Sequence, residues 1–418
     1  MPAPVTIAVL GTGSRGNTFA AYAERFPDRA RVVAVADPRT ARRDTLADRH
    51  AVAPELRFDD WRALAAGPRV ADAVVITTPD REHVGPAVEL AGQGYHVLLE
   101  KPIAPTRAEC VDVVRAVERA GVVLAVCHVL RYTPYTAAVR DVVAAGRVGD
   151  VVGVEHLEPV GWWHFAHSYV RGNWRDEATS GPSLLTKCSH DLDWLRHIVG
   201  RPSVRVSSVG GLHHFTAANR PEGAADRCLD CAVEAACPYS AKRLYLRRLQ
   251  EFPGRWPLTV VTTDHSEAGV LAALREGPYG RCVYAGGNDV ADHQVVTVEF
   301  EGGVTATLTM SAFTPMGRRR TRIMGTRGFL EGDGERLTVT DFVTGDAVAV
   351  EIPGSGGDAA GGHDGGDFGV MDAFVTAVAT GDRSNIRSGP RESLESHLMA
   401  FAAEESRRTA CAVPVWAD

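Results

Sequence analysis

Val5-Thr6-Ile7-Ala8-Val9-Leu10-Gly11-Thr12-Gly13-Ser14-Arg15-Gly16 opens the chain as an apolar, β-branched run that breaks into glycines at the spacing G-x-G-x-x-G. The run predicts a buried strand, and the residues after the glycines carry a helical pattern to about residue 26. In such a strand-turn-helix, Gly11 permits the tight turn, Gly13 lets a pyrophosphate approach the main chain, and Gly16 packs helix on strand. The N–H groups of Ser14 and Arg15 then lie at a helix N-terminus, which carries partial positive charge. Asp37 closes the next β-branched run about 20 residues on, where a carboxylate accepts hydrogen bonds from ribose hydroxyls and repels a 2′-phosphate. The cofactor expected is NAD. NADP is disfavoured, although Arg39, Arg42 and Arg43 stand close by.

Outward from this stretch, short apolar runs at 31–36, 72–77, 95–99 and 122–126 alternate with helical patterns at about 39–49, 80–92 and 106–120. That alternation specifies a parallel sheet wound with helices on both faces. After His128 the pattern changes: a helix near 134–145, a strand at 150–158, an aromatic loop at 160–182, a helix at about 183–199, and then strands at about 292–300, 304–312, 320–324, 336–341 and 347–352. The fold class is therefore α/β: a Rossmann dinucleotide-binding domain over 1–128, then an α+β domain over 129–418 with a large, mostly antiparallel open sheet. Residues 211–285 show no clear period and read as an insertion; Gly354–Gly369 reads as a loop, and helices at about 367–380 and 390–408 end the chain.

Among 418 residues, 45 Lys and Arg face 52 Asp and Glu, a net charge of −7, and the longest like-charge run is Arg318-Arg319-Arg320. No basic face for nucleic acid is expected. No apolar run reaches the roughly 18 to 20 residues of a membrane span, and no signal peptide is visible, so the expected location is cytoplasmic. Eight cysteines are too few for a disulfide scaffold, and only Cys228, Cys231 and Cys237 cluster. Two readings of that cluster stay open: a structural zinc with His213 or His214 as fourth ligand, or reduced thiols packed within the insertion. A catalytic metal is not expected.

Two turns leave the carboxyl ends of predicted strands, where open α/β sheets bind ligands. One is Thr77-Thr78-Pro79-Asp80 with His83 behind it; the other is Glu100-Lys101-Pro102. Lys101, desolvated beside a cationic nicotinamide, would titrate nearer neutrality and so exchange a proton with a substrate hydroxyl. On the helix at 183–199, Thr186, His190 and Asp193 share a face by their i, i+4 and i+7 spacing, with Lys187 and Asp191 adjoining.

These motifs, with Arg131-Tyr132-x-Pro134 and Ile323-Met324-Gly325-Thr326-Arg327-Gly328, resemble the Gfo/Idh/MocA family of oxidoreductases over nearly the whole chain. The resemblance implies a sugar or cyclitol hydroxyl held beside the nicotinamide by Lys101 and His190. It also implies homodimers or homotetramers, and, in some relatives, a redox glycosidase chemistry in which transient oxidation drives elimination. A silent cofactor-binding sensor is the third reading. The family usually places Asp four residues before this histidine, whereas Thr186 stands here.

For the substrate, the loop Gly161–Arg175 offers indole faces for sugar C–H groups and polar groups for hydroxyls or an anion. The candidate contacts are Tyr132, Trp163, His164, Arg171, Trp174, Lys187, His190, Asp191 and His293, with His363 a weaker addition. An open sheet covered by helices on one side should expose an apolar face for a second copy of the chain.

Overall fold

The computed structural model describes residues 3–353 and 363–416. In the first half, strands β1 (Val5–Leu10), β2 (Ala30–Ala36), β3 (Arg57–Phe58), β4 (Ala73–Ile76), β5 (His96–Leu99) and β6 (Leu124–Val126) alternate with helices α1 (Ser14–Arg25), α2 (Thr40–Arg49), α3 (Trp61–Ala65), α4 (Val84–Gly92) and α5 (Arg107–Ala120). The strands form one parallel sheet in the order β3-β2-β1-β4-β5-β6, so the order reverses beside β1, where a crevice opens between β1 and β4. All four residues of β4 are buried, as strands covered on both faces require.

The second half contains α6 (Pro134–Ala144), β7 (Val151–Pro159), α7 (Trp162–Phe165), α8 (Glu177–Ser180), α9 (Ser183–Val199) and β8 (Ser203–Gly211). Helices α10 (Ala241–Glu251), α11 (Leu258–Val261) and α12 (Glu267–Glu276) follow, then β9 (His293–Phe300), β10 (Thr305–Ser311), β11 (Arg320–Gly325), β12 (Gly328–Gly332), β13 (Leu337–Asp341) and β14 (Ala347–Ala349). Helices α13 (Gly366–Thr380) and α14 (Pro390–Thr409) and strand β15 (Val413–Pro414) end it. Nine strands form the second sheet in the order β14-β13-β12-β11-β7-β10-β9-β8-β15, antiparallel except where β10 runs parallel to β7. The long helices α9 and α14 cover one face of it.

Four details depart from the sequence reading. The aromatic segment after β7 is helical, through α7, a π-helical stretch Ala166–Arg171 and α8. The insertion is also largely helical: α10 to α12 bury Leu244, Tyr245, Leu258, Val270 and Leu274 against Trp163 in a small core of their own. Helix α13 joins the core of the first sheet, where Val370, Met371 and Phe374 meet Ile7, Phe19 and Tyr22, so the first sheet's core is not confined to residues before 129. Finally, the open face of the second sheet is polar rather than apolar. Thr297, Thr305, Thr307 and Thr309 line it with paired charges such as Arg322 and Glu331 (2.9 Å), because alternate positions of these strands are threonine or charged. Residues 354–362 of the expected glycine-rich loop, and the side chain of His363, lie outside the described residues.

Candidate active site

The turn after β1 is shaped by its glycines. Gly11 has φ of +86°, and a Cβ there would stand 2.6 Å from the Thr77 carbonyl oxygen; one on Gly16 would stand 2.1 Å from the Gly11 oxygen. Around Gly13, by contrast, no atom lies within 4 Å of the Cβ position. The turn thus has room at the one place a pyrophosphate would approach, and helix α1 begins there. Asp37 is buried and accepts from the Thr12 amide (2.8 Å) and from the main chain and guanidinium of Arg39 (2.9 and 2.9 Å). Burial pushes its carboxyl up, but the hydrogen bonds from Arg39 and Thr12 prevail and hold it below the usual carboxylate range. These residues fit a dinucleotide.

Across the crevice, the turns after β4 and β5 are tied together by His83, whose ring lies 2.7 Å from the Pro102 oxygen and 3.0 Å from the Thr78 oxygen. Both partners are acceptors, so a neutral ring donates to one of them only. Glu100 is held by the Lys101 amide (2.9 Å) and by Arg15, which also donates to Asp367 (2.6 Å). Lys101 reaches out of the first sheet and donates through Nζ to the Thr186 carbonyl oxygen on α9, 2.5 Å away. Burial pushes the Lys101 ammonium down, with Lys187 and Arg15 adding to it against the opposing pull of Glu100 and Asp80. Burial likewise pushes the Asp80 carboxyl up. A lysine and a carboxyl whose proton affinities are drawn toward one another can pass a proton between neighbouring groups.

Helix α9 supplies the opposite wall. It starts after Pro182, and Gly200, in the left-handed conformation, ends it. Thr186 is buried and donates to the Pro182 oxygen (3.2 Å). His190 is 8% exposed and meets His128 edge-on at 5.9 Å, and His128 meets His397 at 5.5 Å. His397 accepts from the Ile103 amide (2.9 Å), which fixes its tautomer, and burial pushes its pKa down to about 3. Asp193 does not join His190 in the cleft: Arg131 claims it with two hydrogen bonds of 2.6 and 2.7 Å.

A second group of charges lies beside Lys187. Its ammonium is 3.2 Å from Glu158, at the end of β7, while Arg319 binds the other oxygen of Glu158 (2.9 Å) and Asp191 (2.7 Å). His156 completes the set, 3.1 Å from Asp191. Burial pushes the Asp191 carboxyl up, yet Arg319 and His156 outweigh it and hold it below the usual range.

The structure does not gather all the expected substrate residues. Tyr132 is turned away: its hydroxyl accepts from the Arg387 and Ser388 amides (2.9 and 3.1 Å) and fastens the segment before α14. Arg171 is buried and spent on the carbonyls of Arg281 and Tyr239 (both 2.7 Å), so it anchors the insertion. Trp163 lies in the insertion's core beneath the Arg248 guanidinium. Asp191 is sealed behind Arg319, and His293, half-buried at the start of β9, lies two strands from β7. Trp174 and Lys187 remain near Lys101 and Asp80: the Trp174 indole donates to Asp80 (3.1 Å) and the charge of Lys187 acts on Lys101, while His164 feels the charge of Lys187 and His190 packs on His128, which itself feels Lys101.

Cys228, Cys231 and Cys237 line a cavity of about 20 Å³ together with Cys282, a residue the sequence spacing did not single out. All are free thiols, and among the described residues no three His, Cys, Asp or Glu side chains are placed to hold a metal ion. His214 is engaged elsewhere, 3.0 Å from the Tyr284 hydroxyl. Sequence reasoning also missed the roles of Glu158, Arg319 and Asp367. Arg319 was visible only as the middle of a charge run, and nothing in such a run marks which member turns inward.

This fold and site define a two-part, dinucleotide-binding oxidoreductase scaffold. The family models agree: residues 5–128 match the oxidoreductase-family NAD-binding Rossmann fold, and residues 140–409 match the same family's C-terminal alpha/beta domain. The chain belongs to the Gfo/Idh/MocA oxidoreductase family. It is 26% identical over 209 residues to 2,7-anhydro-N-acetylneuraminate hydratase of Escherichia coli, covering 50% of this chain and 53% of that one. It is 36% identical over 149 residues to inositol 2-dehydrogenase of Rubrobacter xylanophilus, covering 35% and 42%. The chain spans about half the length of the curated relatives it matches. Among solved structures, the WlbA dehydrogenase of Bordetella pertussis, in complex with NADH and UDP-GlcNAcA, superimposes with a TM-score of 0.68 at 18% identity, covering 100% and 99% of the two chains.

Proposed function

We propose that this chain is an NAD-dependent oxidoreductase acting on a secondary hydroxyl, or the corresponding ketone, of a sugar, sugar derivative or cyclitol. The observation that carries the proposal is the Lys101–Thr186 contact, which puts a desolvated ammonium between the dinucleotide crevice and α9. The relatives named for an anhydro-sugar acid and for inositol support the substrate class. Bound NAD supplies the hydride acceptor. Gly11, Gly13, Gly16, Ser14 and Arg15 would hold the pyrophosphate and Asp37 the ribose, while Thr78, Pro79, His83 and Glu100 fix the turns that would border the cofactor. Asp37 favours NAD over NADP. Lys101 takes the hydroxyl proton during oxidation and returns it during reduction, Asp80 shares its charge, and His190 orients the reacting oxygen. His164, Trp174 and Lys187 wall the substrate.

Replacing Lys101 with Ala tests this: turnover should fall about a hundredfold or more with NAD binding nearly intact. Turnover equal to wild type would remove the assignment.

A second reading has its own support. Thr186 occupies the position four residues before His190 and its hydroxyl donates to the Pro182 oxygen, so no carboxylate stands there to serve a simple dehydrogenation. A relative is named a hydratase. Transient oxidation at one carbon acidifies the neighbouring C–H, a leaving group departs, water adds and the hydride returns. Release of aglycone or hydrated product without accumulation of NADH distinguishes this chemistry from net oxidation.

Two finer points belong to the same proposal. The family resemblance supports a homodimer or homotetramer, which light scattering would detect. The protein works in the cytoplasm with its cysteines reduced, and elemental analysis decides between structural zinc and packed thiols in the insertion. Among the described residues no helix is long and apolar enough to cross a membrane.

A further inference from the structure

Lys187 and Arg319 come from distant parts of the chain, one on α9 and one just before β11, yet both close on Glu158 (3.2 and 2.9 Å). The acids that hold them are deep: the Glu158 side chain is 3% exposed and Asp191 0%. The two cations lie in front, at 20% and 22%. Arg319 uses Nε and Nη2 on the acids, and among the described residues nothing accepts from Nη1. The Lys187 ammonium has one partner for its three protons. What the cluster presents outward is therefore a set of fixed, unspent cationic donors backed by buried carboxylates.

Such an arrangement is a poor way to stabilise a fold, because the desolvation of buried ions offsets much of their attraction and apolar residues of similar volume would hold β7, α9 and β11 together as well. It is a good way to hold an arginine and a lysine rigid for a ligand, since their order is imposed before the ligand arrives. Lys187 lies close enough to Lys101 for the two charges to act on each other, and Tyr169, which meets the Thr186 side chain, feels the charges of both Glu158 and Asp80, so the cluster borders the reacting end of the cleft.

We infer that Lys187 and Arg319 form a carboxylate subsite and that the substrate is an acidic sugar, its carboxylate read by these two residues while its hydroxyl faces Lys101. The inference rests on the sugar-oxidoreductase reading above and narrows it. A guanidinium edge and an ammonium side by side match the two oxygens of a carboxylate, and the charge-assisted bonds they would make to it are stronger than those to the hydroxyls of a neutral sugar.

The test is calorimetric binding to the full chain saturated with NAD, using D-glucuronate and D-galacturonate against their methyl esters and against D-glucose and D-galactose. The acids should bind at least about tenfold more tightly than the esters, the scale of one charge-assisted hydrogen bond. Lys187→Met and Arg319→Gln should abolish that preference while leaving NAD affinity unchanged. Arg319→Lys, which keeps a positive partner for Asp191, should retain part of it. Equal binding of acid and ester, or variants that weaken both alike, would overturn the inference and make the cluster a tie between elements, with the sugar reading intact. Inorganic phosphate displacing the acids and binding more tightly than they do would overturn the carboxylate assignment. Failure of every sugar to bind while NAD does would overturn both this inference and the reading beneath it.

Discussion

Lys101 and Thr186 are 85 residues apart in sequence, and the 2.5 Å hydrogen bond from the lysine ammonium to the threonine carbonyl joins the turn after β5 to helix α9. A main-chain carbonyl is a useful partner for a lysine that must titrate. It orients the ammonium without adding a full counter-charge, so burial remains the largest influence and draws the proton affinity down. A carboxylate at position 186 would act in the opposite sense.

The pH dependence follows from that direction. Oxidation requires neutral Lys101, so kcat/KM for the alcohol should rise with pH through an apparent pKa below the 10.5 of an unperturbed lysine, and ketone reduction should fall through the same value. Thr186→Asp should move this limb to higher pH, because a nearby negative charge favours the ammonium. A limb that stays in place would show that another group titrates.

Stability should fall in acid before most carboxylates titrate. Burial pushes His397, His167 and His197 down to about 3, and His128 and His164 well below their ordinary value, so all five stay neutral in the fold while they take up protons when unfolded. Their contribution is present above the unfolded pKa near 6.5 and is lost as pH falls below it. Each proton taken up on unfolding costs about 1.4 kcal/mol per pH unit. Unfolding midpoints in urea measured from pH 7 to pH 5 should therefore drop steeply, and a flat profile would place these rings in contact with water.

Cofactor choice should rest on Asp37. Its carboxylate now engages Arg39 through two side-chain hydrogen bonds of 2.9 and 3.0 Å. Asp37→Ser should weaken NAD binding by about tenfold and improve NADP binding, since it removes an acceptor for the ribose and frees Arg39 for a 2′-phosphate. Titration of both cofactors by fluorescence checks this.

Arg171 should matter to the insertion and not to the cofactor. Arg171→Met leaves the carbonyls of Arg281 and Tyr239 without their buried donor, at about 1–3 kcal/mol for each unsatisfied group. Limited proteolysis should then cut between residues 211 and 285 sooner, while NAD titration is unchanged. Loss of NAD binding together with that cleavage would mean that the insertion supports the first sheet.

The order and type of the main elements were legible because their periods are strong: α9 was expected at 183–199 and spans Ser183–Val199, and the glycine turn opened the helix it promised. What escaped was structure without a period. Strand β3 is two residues long, and the π-helical stretch Ala166–Arg171 follows neither helical nor strand spacing. In α10 the sequence Ala-Lys-Arg-Leu-Tyr-Leu-Arg-Arg-Leu-Gln-Glu hides its apolar stripe among charges. The site was half legible for a related reason. Motifs mark residues that sit on turns, as Lys101 and Asp37 do, but whether Tyr132 or Arg171 faces a cleft or fastens a distant backbone depends on contacts across 255 and 110 residues, which no local pattern records.

If a sugar is oxidised by NAD beside Lys101, hydride transfer is visible as NADH. A stopped-flow trace of NADH absorbance, with enzyme in excess over each member of a panel of neutral and acidic sugars bearing deuterium at the reacting carbon, tests it most directly. NADH should form in a single turnover that is slowed by deuterium and is about a hundredfold or more slower in Lys101→Ala with NAD still bound, whether the NADH then accumulates or is consumed. NAD bound at full occupancy with no NADH from any sugar, or formation at the wild-type rate in Lys101→Ala, would contradict it.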